Sequence, residues 1–128
     1  MKEKMKILVG VDGSDYSTWA LMEAISIAKK FSGHIKVITV YRQGKKDEAT
    51  KIQMKAKHLL KEEKIDSSLS AILGSNPSRA LVDTAENEKF DLIVVGSRGL
   101  GRAAAFLLGS VSKQVVSKAS CDVLVVKK

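Results

Sequence analysis

The sequence predicts an α/β fold in which short apolar strands alternate with amphipathic helices around a parallel, doubly wound sheet. Three observations carry this prediction. Short runs typical of strands recur at five places in the 128 residues, helical periodicity fills the segments between them, and neither a linker nor an internal repeat interrupts the order. Consecutive parallel strands require right-handed crossovers, so we expect helices on both faces of the sheet. Residues 1–128 are therefore expected to form one Rossmann-like domain.

The first half of the chain predicts two strands and two helices. The run KILVGV at residues 6–11 ends in a turn signal, and Ser14 is well placed to cap a helix that extends to residue 30. A second strand is predicted at residues 35–41. Apolar side chains then recur at helical spacing and mark a second amphipathic helix: Ala49, Ile52, Ala56, Leu59 and Leu60.

The second half of the chain predicts three further strands with helices between them. Pro77 suits the first position of a helix, and Asn76 or Ser75 is suited to cap it. The run DLIVVG shows no polar alternation, as expected of a strand buried on both faces. The other elements predicted in this half are strands at residues 67–73, 91–96 and 122–127, and a last helix from about 110 to 119.

The net charge of +8 raises the question of a nucleic-acid partner. Most of the excess is scattered lysine, whereas arginines number four and aromatic residues make up 5% of the chain. Nucleic-acid-binding surfaces usually add arginine forks and stacking aromatic side chains. The composition therefore argues against a nucleic-acid partner, and the charge instead favours small anionic ligands through long-range attraction.

The sequence also predicts a cytoplasmic protein without a membrane partner. Its apolar runs are too short to span a bilayer, and the first residues, MKEKMKILVG, lack the apolar stretch of a signal peptide. Cys121 is the single cysteine, so no internal disulfide can form. We expect it to be a small structural residue.

The stretch GSRGLGRAAAFLLGS at residues 96–110 is rich in glycine and leads from a strand into a helix. Its glycines would let the backbone approach a ligand closely and adopt positive φ. The first amides of the following helix lack internal partners and carry the positive end of the dipole, which suits a phosphate. Hydroxyl donors at Ser110 and Ser112 and the charge of Arg98 or Arg102 would add to this site.

Three phosphate-binding patterns compete for this stretch. A P-loop requires a lysine before Ser110, and none is present. The segment 99–104 fits a dinucleotide fingerprint, but it does not lie in the first βαβ unit. The fingerprint also expects an acidic residue about twenty positions further on, at the end of the next strand, whereas Asp122 begins the final strand. The third pattern is Gly-x2-Gly-x9-Gly-Ser, and Gly96, Gly99 and Gly109 with Ser110 satisfy it without adjustment.

The chain resembles the universal stress protein family over essentially its whole length. The resemblance rests on this third pattern and on three segments, KILVGVDGSDYS, FDLIVVGSRGLG and LLGSVSKQVVSKASCDVLVV. The resemblance implies a five-stranded sheet of order 3-2-1-4-5 that binds ATP in the subgroup with this glycine motif. Asp122 stands where family members usually have proline, and the connection from the second strand into the second helix is shorter than is common. Neither departure affects the glycine motif.

The resemblance also implies which residues bind the nucleotide. Mg²⁺ or Mn²⁺ would be held mainly by phosphate oxygens, with Asp12 as a possible helper, although Asp12 has the alternative role of capping its turn. Ser110 has the alternative role of a plain helix cap, and Arg98 that of a solvated loop charge. By position, the expected contacts are Gly10, Val11 and Asp12 at the nucleoside, Val40 at the adenine, Gly96, Arg98 and Gly99 at the ribose and phosphates, and Gly109, Ser110, Val111 and Ser112 around the phosphate chain.

These expectations favour an ATP-binding stress-response or regulatory protein whose occupancy alters its assembly or partner binding. A slow ATP-hydrolysing enzyme of the adenine-nucleotide alpha hydrolase type is the alternative, but GVDGSDYS lacks the Ser-Gly-Gly-x-Asp-Ser sequence of ATP-pyrophosphatases. Residues 96–120 contain no acidic side chain and no histidine to act as a general base, so no catalytic residue is assigned. Universal stress proteins commonly dimerise through the last strand, which implies a homodimer on residues 122–127.

Overall fold

The computed structural model describes residues 4–98 and 109–127, which form one parallel sheet flanked by helices. The elements in chain order are β1 (Lys6–Gly10), α1 (Asp15–Phe31), β2 (His34–Tyr41), α2 (Lys46–Glu62), β3 (Asp66–Leu73), α3 (Pro77–Asn87), β4 (Leu92–Gly96), α4 (Ser110–Lys118) and β5 (Asp122–Val126). The strand order is β3-β2-β1-β4-β5, which confirms the predicted doubly wound topology. Every predicted strand and helix is present, with boundaries that differ by one or two residues.

The core lies on both faces of the sheet because successive residues of each strand point to opposite sides. Ile7 and Val9 of β1 pack with α1 and α2, whereas Leu8 packs on the other face with α3 and α4. Ile7 and Leu8 are fully buried, so each contributes about 1.5–3 kcal/mol of hydrophobic stabilisation. Burial on both faces of the sheet thus explains why β1 and β4 lack alternating polar residues.

Helices α1 and α3 begin at the capping residues that the sequence predicted. The hydroxyl of Ser14 accepts a hydrogen bond from the Ser17 amide at 3.2 Å at the start of α1. The side chain of Asn76 accepts one from the Arg79 amide at 3.1 Å, and Pro77 is the first residue of α3. These caps satisfy amides that have no partner within the helix. Within the described residues, no helix is both long enough and apolar enough to cross a membrane.

Candidate functional site

A cavity of about 530 Å³ opens at the carboxyl ends of β1, β2 and β4. The chain runs from β1 outward through β2 to β3, and then returns to the other side of β1 to form β4. The strand order therefore reverses at β1, which is where ligands bind in open α/β sheets. The start of α4 closes one side of the cavity, and the start of α3 contributes Pro77 and Leu81.

The cavity brings together every predicted binding residue that the structure describes. Gly99 lies outside the described residues, as does Arg102, so their positions stay predictions. The role of each residue in binding is likewise a prediction. The predicted residues that line the cavity are Gly10, Val11, Asp12, Val40, Gly96, Arg98, Gly109, Ser110, Val111 and Ser112.

Asp12 lies in the turn that leads from β1 into α1. Its Oδ1 accepts a hydrogen bond from the Ser14 amide at 2.9 Å, and its own amide donates to the Ser17 hydroxyl at 3.2 Å. Gly13 completes the turn with φ of +90°, a conformation that favours glycine. Asp12 thus caps the turn and also lines the cavity, so its capping role does not remove it from the site.

The start of α4 is attached to the residue that follows β4. The Ser97 carbonyl accepts hydrogen bonds from the Gly109 amide at 2.7 Å and from the buried Ser112 hydroxyl at 2.9 Å. The Ser112 hydroxyl proton is therefore directed at a backbone carbonyl, which differs from the expectation that it donates to a ligand. The first amides of α4 lie at the cavity with the positive end of the helix dipole.

The conformational reason given for two of the glycines is wrong. Gly109 has φ of −67°, and the described glycines with positive φ are Gly13 and Gly44. Close packing explains the glycines instead. A Cβ on Gly96 would lie 2.7 Å from backbone atoms of Tyr16, and one on Gly109 would lie 3.2 Å from the Arg98 Cα. Both glycines let segments of the cavity wall approach one another.

Arg98 lies against an aromatic side chain of α1. Its Nη2 donates a hydrogen bond to the Tyr16 hydroxyl, and its guanidinium carbon lies 4.6 Å from the centre of the Tyr16 ring. The Tyr16 ring in turn packs edge-on against Trp19, with ring centroids 5.1 Å apart. The sequence analysis assigned no role to Tyr16 and missed its contact with Arg98, which joins positions 82 residues apart.

Sequence reasoning also missed Arg42, which follows β2 and lines the cavity on the side away from β4. Its position directly after a predicted strand, at the edge where ligands bind, was the available signal. The described lining therefore carries two positive side chains, Arg42 and Arg98, and one negative side chain, Asp12. This excess of positive charge favours anionic ligands. The apolar part of the wall is formed by Val11, Ile38, Val40, Leu81, Val95 and Val111.

The histidines and the cysteine lie outside this cavity. His34 is at the opposite end of the sheet, where its Nδ1 lies 3.0 Å from Asp66 and its Nε2 lies 3.2 Å from the Ser68 hydroxyl. Burial raises the pKa of the Cys121 thiol, which does not favour a reactive thiolate. Among the described residues, no cluster of three or more His, Cys, Asp or Glu side chains is arranged to hold a metal ion.

A family model described as the universal stress protein family matches residues 4–127. The chain belongs to the universal stress protein family. A universal stress protein from Methanocaldococcus jannaschii is 34% identical over 140 aligned residues, which include 96% of this chain and 82% of that protein. Another from Thermus aquaticus is 32% identical and is covered over 97% of its length.

Solved structures agree with this membership. A universal stress protein crystallised with cAMP superimposes with a TM-score of 0.83 at 34% identity, covering 98% of both chains. A protein whose biochemical function was assigned from its structure gives a TM-score of 0.84 at 25% identity, covering 99% of this chain and 98% of that one. The fold of this universal stress protein, with its strand order 3-2-1-4-5, is therefore the fold of the family.

Proposed function

We propose that this universal stress protein binds ATP and that occupancy of the cavity changes its assembly or its binding to a partner in a stress response. The observation that carries the proposal is the composition of the cavity. Arg98 and the first amides of α4 form one side, and an apolar wall forms much of the rest. An adenine nucleotide needs both features, because the aromatic faces of its base pack against apolar side chains and its phosphates are anionic.

The arrangement of the lining residues supports one orientation of the nucleotide. The adenine lies beside Val40 at the end of β2, and the nucleoside passes Gly10, Val11 and Asp12 at the end of β1. The phosphates lie against Arg98 and the start of α4. The 34% identical protein crystallised with cAMP supports an adenine nucleotide as the ligand class. ATP as the specific nucleotide rests on the glycine motif.

The donor set supports a divalent cation held mainly by the nucleotide. Asp12 is the carboxylate among the described lining residues, and its Oδ1 already accepts the Ser14 amide. Mg²⁺ or Mn²⁺ needs several oxygen ligands, which phosphate oxygens and water supply. One carboxylate fits the role of a helper. The same scarcity of acid–base groups in the described lining supports binding rather than hydrolysis as the function.

A homodimer formed through β5 and a cytoplasmic location belong to the same proposal. β5 is an edge strand, and Val123, Leu124, Val125 and Val126 are half-buried rather than buried. An apolar edge strand pairs readily with a second copy across a two-fold axis. The single cysteine supports a cytoplasmic location, because a chain with one cysteine forms no internal disulfide and so has no need of an oxidising compartment.

Mass spectrometry of small molecules released from the purified, denatured protein tests the proposed ligand. Copurified ATP, or a higher melting temperature on adding Mg-ATP, is the expected result. Reproducible absence of ATP together with an unchanged melting temperature would overturn the proposal. Calorimetric titration with ATP, ADP, AMP and cAMP establishes whether ATP is preferred over the other adenine nucleotides.

A further inference from the structure

The contact between Tyr16 and Arg98 joins α1 to the phosphate side of the cavity. The phenol oxygen accepts a hydrogen bond from Nη2 of Arg98, and the guanidinium also lies over the ring at 4.6 Å. One aromatic side chain thus holds the cation in two ways, through its oxygen and through its π face. Arg98 lines the cavity, whereas Tyr16 does not, so Tyr16 acts on the cavity from behind Arg98.

The position of Tyr16 is itself fixed by a neighbouring glycine. A Cβ on Gly96 would lie 2.7 Å from the carbonyl carbon, the carbonyl oxygen and the Cβ of Tyr16. The backbone of α1 therefore rests directly against the last residue of β4. Trp19 packs edge-on against the Tyr16 ring from the same helix, at 5.1 Å between centroids. These two contacts hold the aromatic ring in place.

The backbone of Arg98 is held from the other side. The preceding residue, Ser97, donates its amide to the Val126 carbonyl at 2.8 Å and accepts the Gly109 amide at 2.7 Å. With both its backbone and its guanidinium held, Arg98 loses little side-chain entropy when an anion binds. An unrestrained arginine would lose much more rotamer freedom on binding. A preorganised cation binds more tightly for this reason.

We propose that Tyr16 is a positioning residue that holds the Arg98 guanidinium in the cavity and so sets the preference for phosphorylated nucleosides over unphosphorylated ones. The inference rests on the proposed nucleotide-binding function and adds a residue outside the cavity lining. A guanidinium carries five N–H donors, more than one phenol oxygen can accept, so the contact with Tyr16 is compatible with a bidentate phosphate contact. Tyr16 therefore affects the affinity for the phosphates of the ligand and not the affinity for its adenosine part.

Calorimetric titration of four proteins with Mg-ATP and with adenosine tests this inference. The proteins are the wild type, Tyr16→Phe, Arg98→Ala and the double variant. Tyr16→Phe keeps the ring and removes the hydrogen bond, so ATP affinity should fall about three- to tenfold. Adenosine affinity should stay within about twofold. In the Arg98→Ala background, Tyr16→Phe should have no further effect, since the residue through which it acts is gone.

Tyr41→Phe is the matched control because it removes the same hydroxyl from a tyrosine that, like Tyr16, lies outside the cavity lining, but on β2 and not on α1 beside Arg98. It should leave both affinities unchanged. Circular dichroism and melting temperatures establish that each variant is folded. If Tyr16→Phe fails to fold, Tyr16→His keeps an aromatic ring with a polar atom and should retain a preference for ATP between those of the wild type and Arg98→Ala.

The outcomes separate this inference from the proposed function. A wild type that binds neither ATP nor adenosine overturns the proposed function itself. A wild type that binds ATP overturns the inference alone in either of two cases. One is that Tyr16→Phe weakens ATP and adenosine equally or leaves ATP unchanged. The other is that its full effect on ATP persists in the Arg98→Ala background, which would show a role independent of Arg98.

Discussion

Ser112 donates its buried hydroxyl proton to the carbonyl oxygen of Ser97, 2.9 Å away, and so attaches the first turn of α4 to the end of β4. The carbonyl also accepts the Gly109 amide, so two hydrogen bonds converge on one oxygen. This oxygen precedes Arg98 in the chain. The geometry of the phosphate side of the cavity therefore depends on a buried contact that faces the protein and not the ligand.

Ser112→Ala should destabilise the protein by about 1 kcal/mol, because it removes one buried hydrogen bond while the Ser97 carbonyl keeps its bond to Gly109. Urea unfolding followed by circular dichroism measures the change. Ser117→Ala is the control on the same helix, where the side chain is exposed, and should change stability by less than about 0.5 kcal/mol. Equal effects of the two substitutions would contradict the structural role of the Ser112 hydroxyl.

Gly109→Val should abolish ATP binding in a protein that still folds. The added Cβ would lie 3.2 Å from the Arg98 Cα, which is closer than an ordinary contact, and 3.4 Å from the Ser97 carbonyl oxygen. The start of α4 would then move away from β4, and its first amides with it. Calorimetric titration with Mg-ATP measures the loss, and circular dichroism measures the fold.

Ser117→Val is the control for this substitution because it places the same branched side chain on the exposed far end of α4. It should leave ATP affinity unchanged. Wild-type affinity in a folded Gly109→Val protein would show that the phosphates do not lie against the start of α4.

The fold and the position of the cavity were predictable because their signals are local. The unbroken apolar run of β4, the Ser14 cap and Pro77 each act within a few residues of the chain. Once the strands are assigned, right-handed crossovers bring their carboxyl ends to one edge, which places Asp12 and Gly109 at one cavity. Local patterning thus determines which residues face the site.

The contacts that hold the site were not predictable because they depend on packing between distant segments. Arg98 meets Tyr16 only because α1 rests against Gly96, and sequence spacing carries no sign of that approach. His34 meets Asp66 because the two residues are paired in the register of β2 and β3. The φ of Gly109 was also mistaken, because close approach and positive φ both favour glycine and a sequence does not distinguish them.

Asp66 should make the stability of the protein depend on pH in the acidic range. The hydrogen bond from Lys4 at 2.9 Å, and then the contact with His34 at 3.0 Å, lower the pKa of the Asp66 carboxyl below its usual value of 3.8. Because the folded pKa is the lower one, these contacts stabilise the protein at pH values above the unfolded pKa. The stabilisation is lost as the pH falls through the folded pKa.

Asp66→Asn should therefore lower the free energy of unfolding by less than about 1 kcal/mol near neutral pH, because the pair is exposed to solvent. The difference between the wild type and the variant should disappear below the folded pKa. Urea unfolding across the acidic range measures it, with Asp122→Asn, the same change at the first residue of β5, as the reference. A difference that grows as the pH falls would contradict the assigned direction.

Val125→Pro should convert the proposed homodimer into a monomer. The Val126 carbonyl accepts the Ser97 amide at 2.8 Å, so Val126 directs its backbone polar groups toward β4. Successive residues of a strand alternate in this respect, and Val125 therefore directs its amide outward, to the free edge. Proline at this position removes a donor to a second copy while it spares the bonds to β4.

Light scattering coupled to size exclusion measures the change in mass. Val125→Ala is the matched control because it trims the same side chain and keeps the amide, so it should remain a dimer at a modest cost in stability. Val126→Pro carries proline at a residue that faces β4, and it should destabilise the fold itself rather than only the assembly. A folded Val125→Pro protein that stays dimeric, or a wild type that is monomeric, would place any interface elsewhere than on this edge.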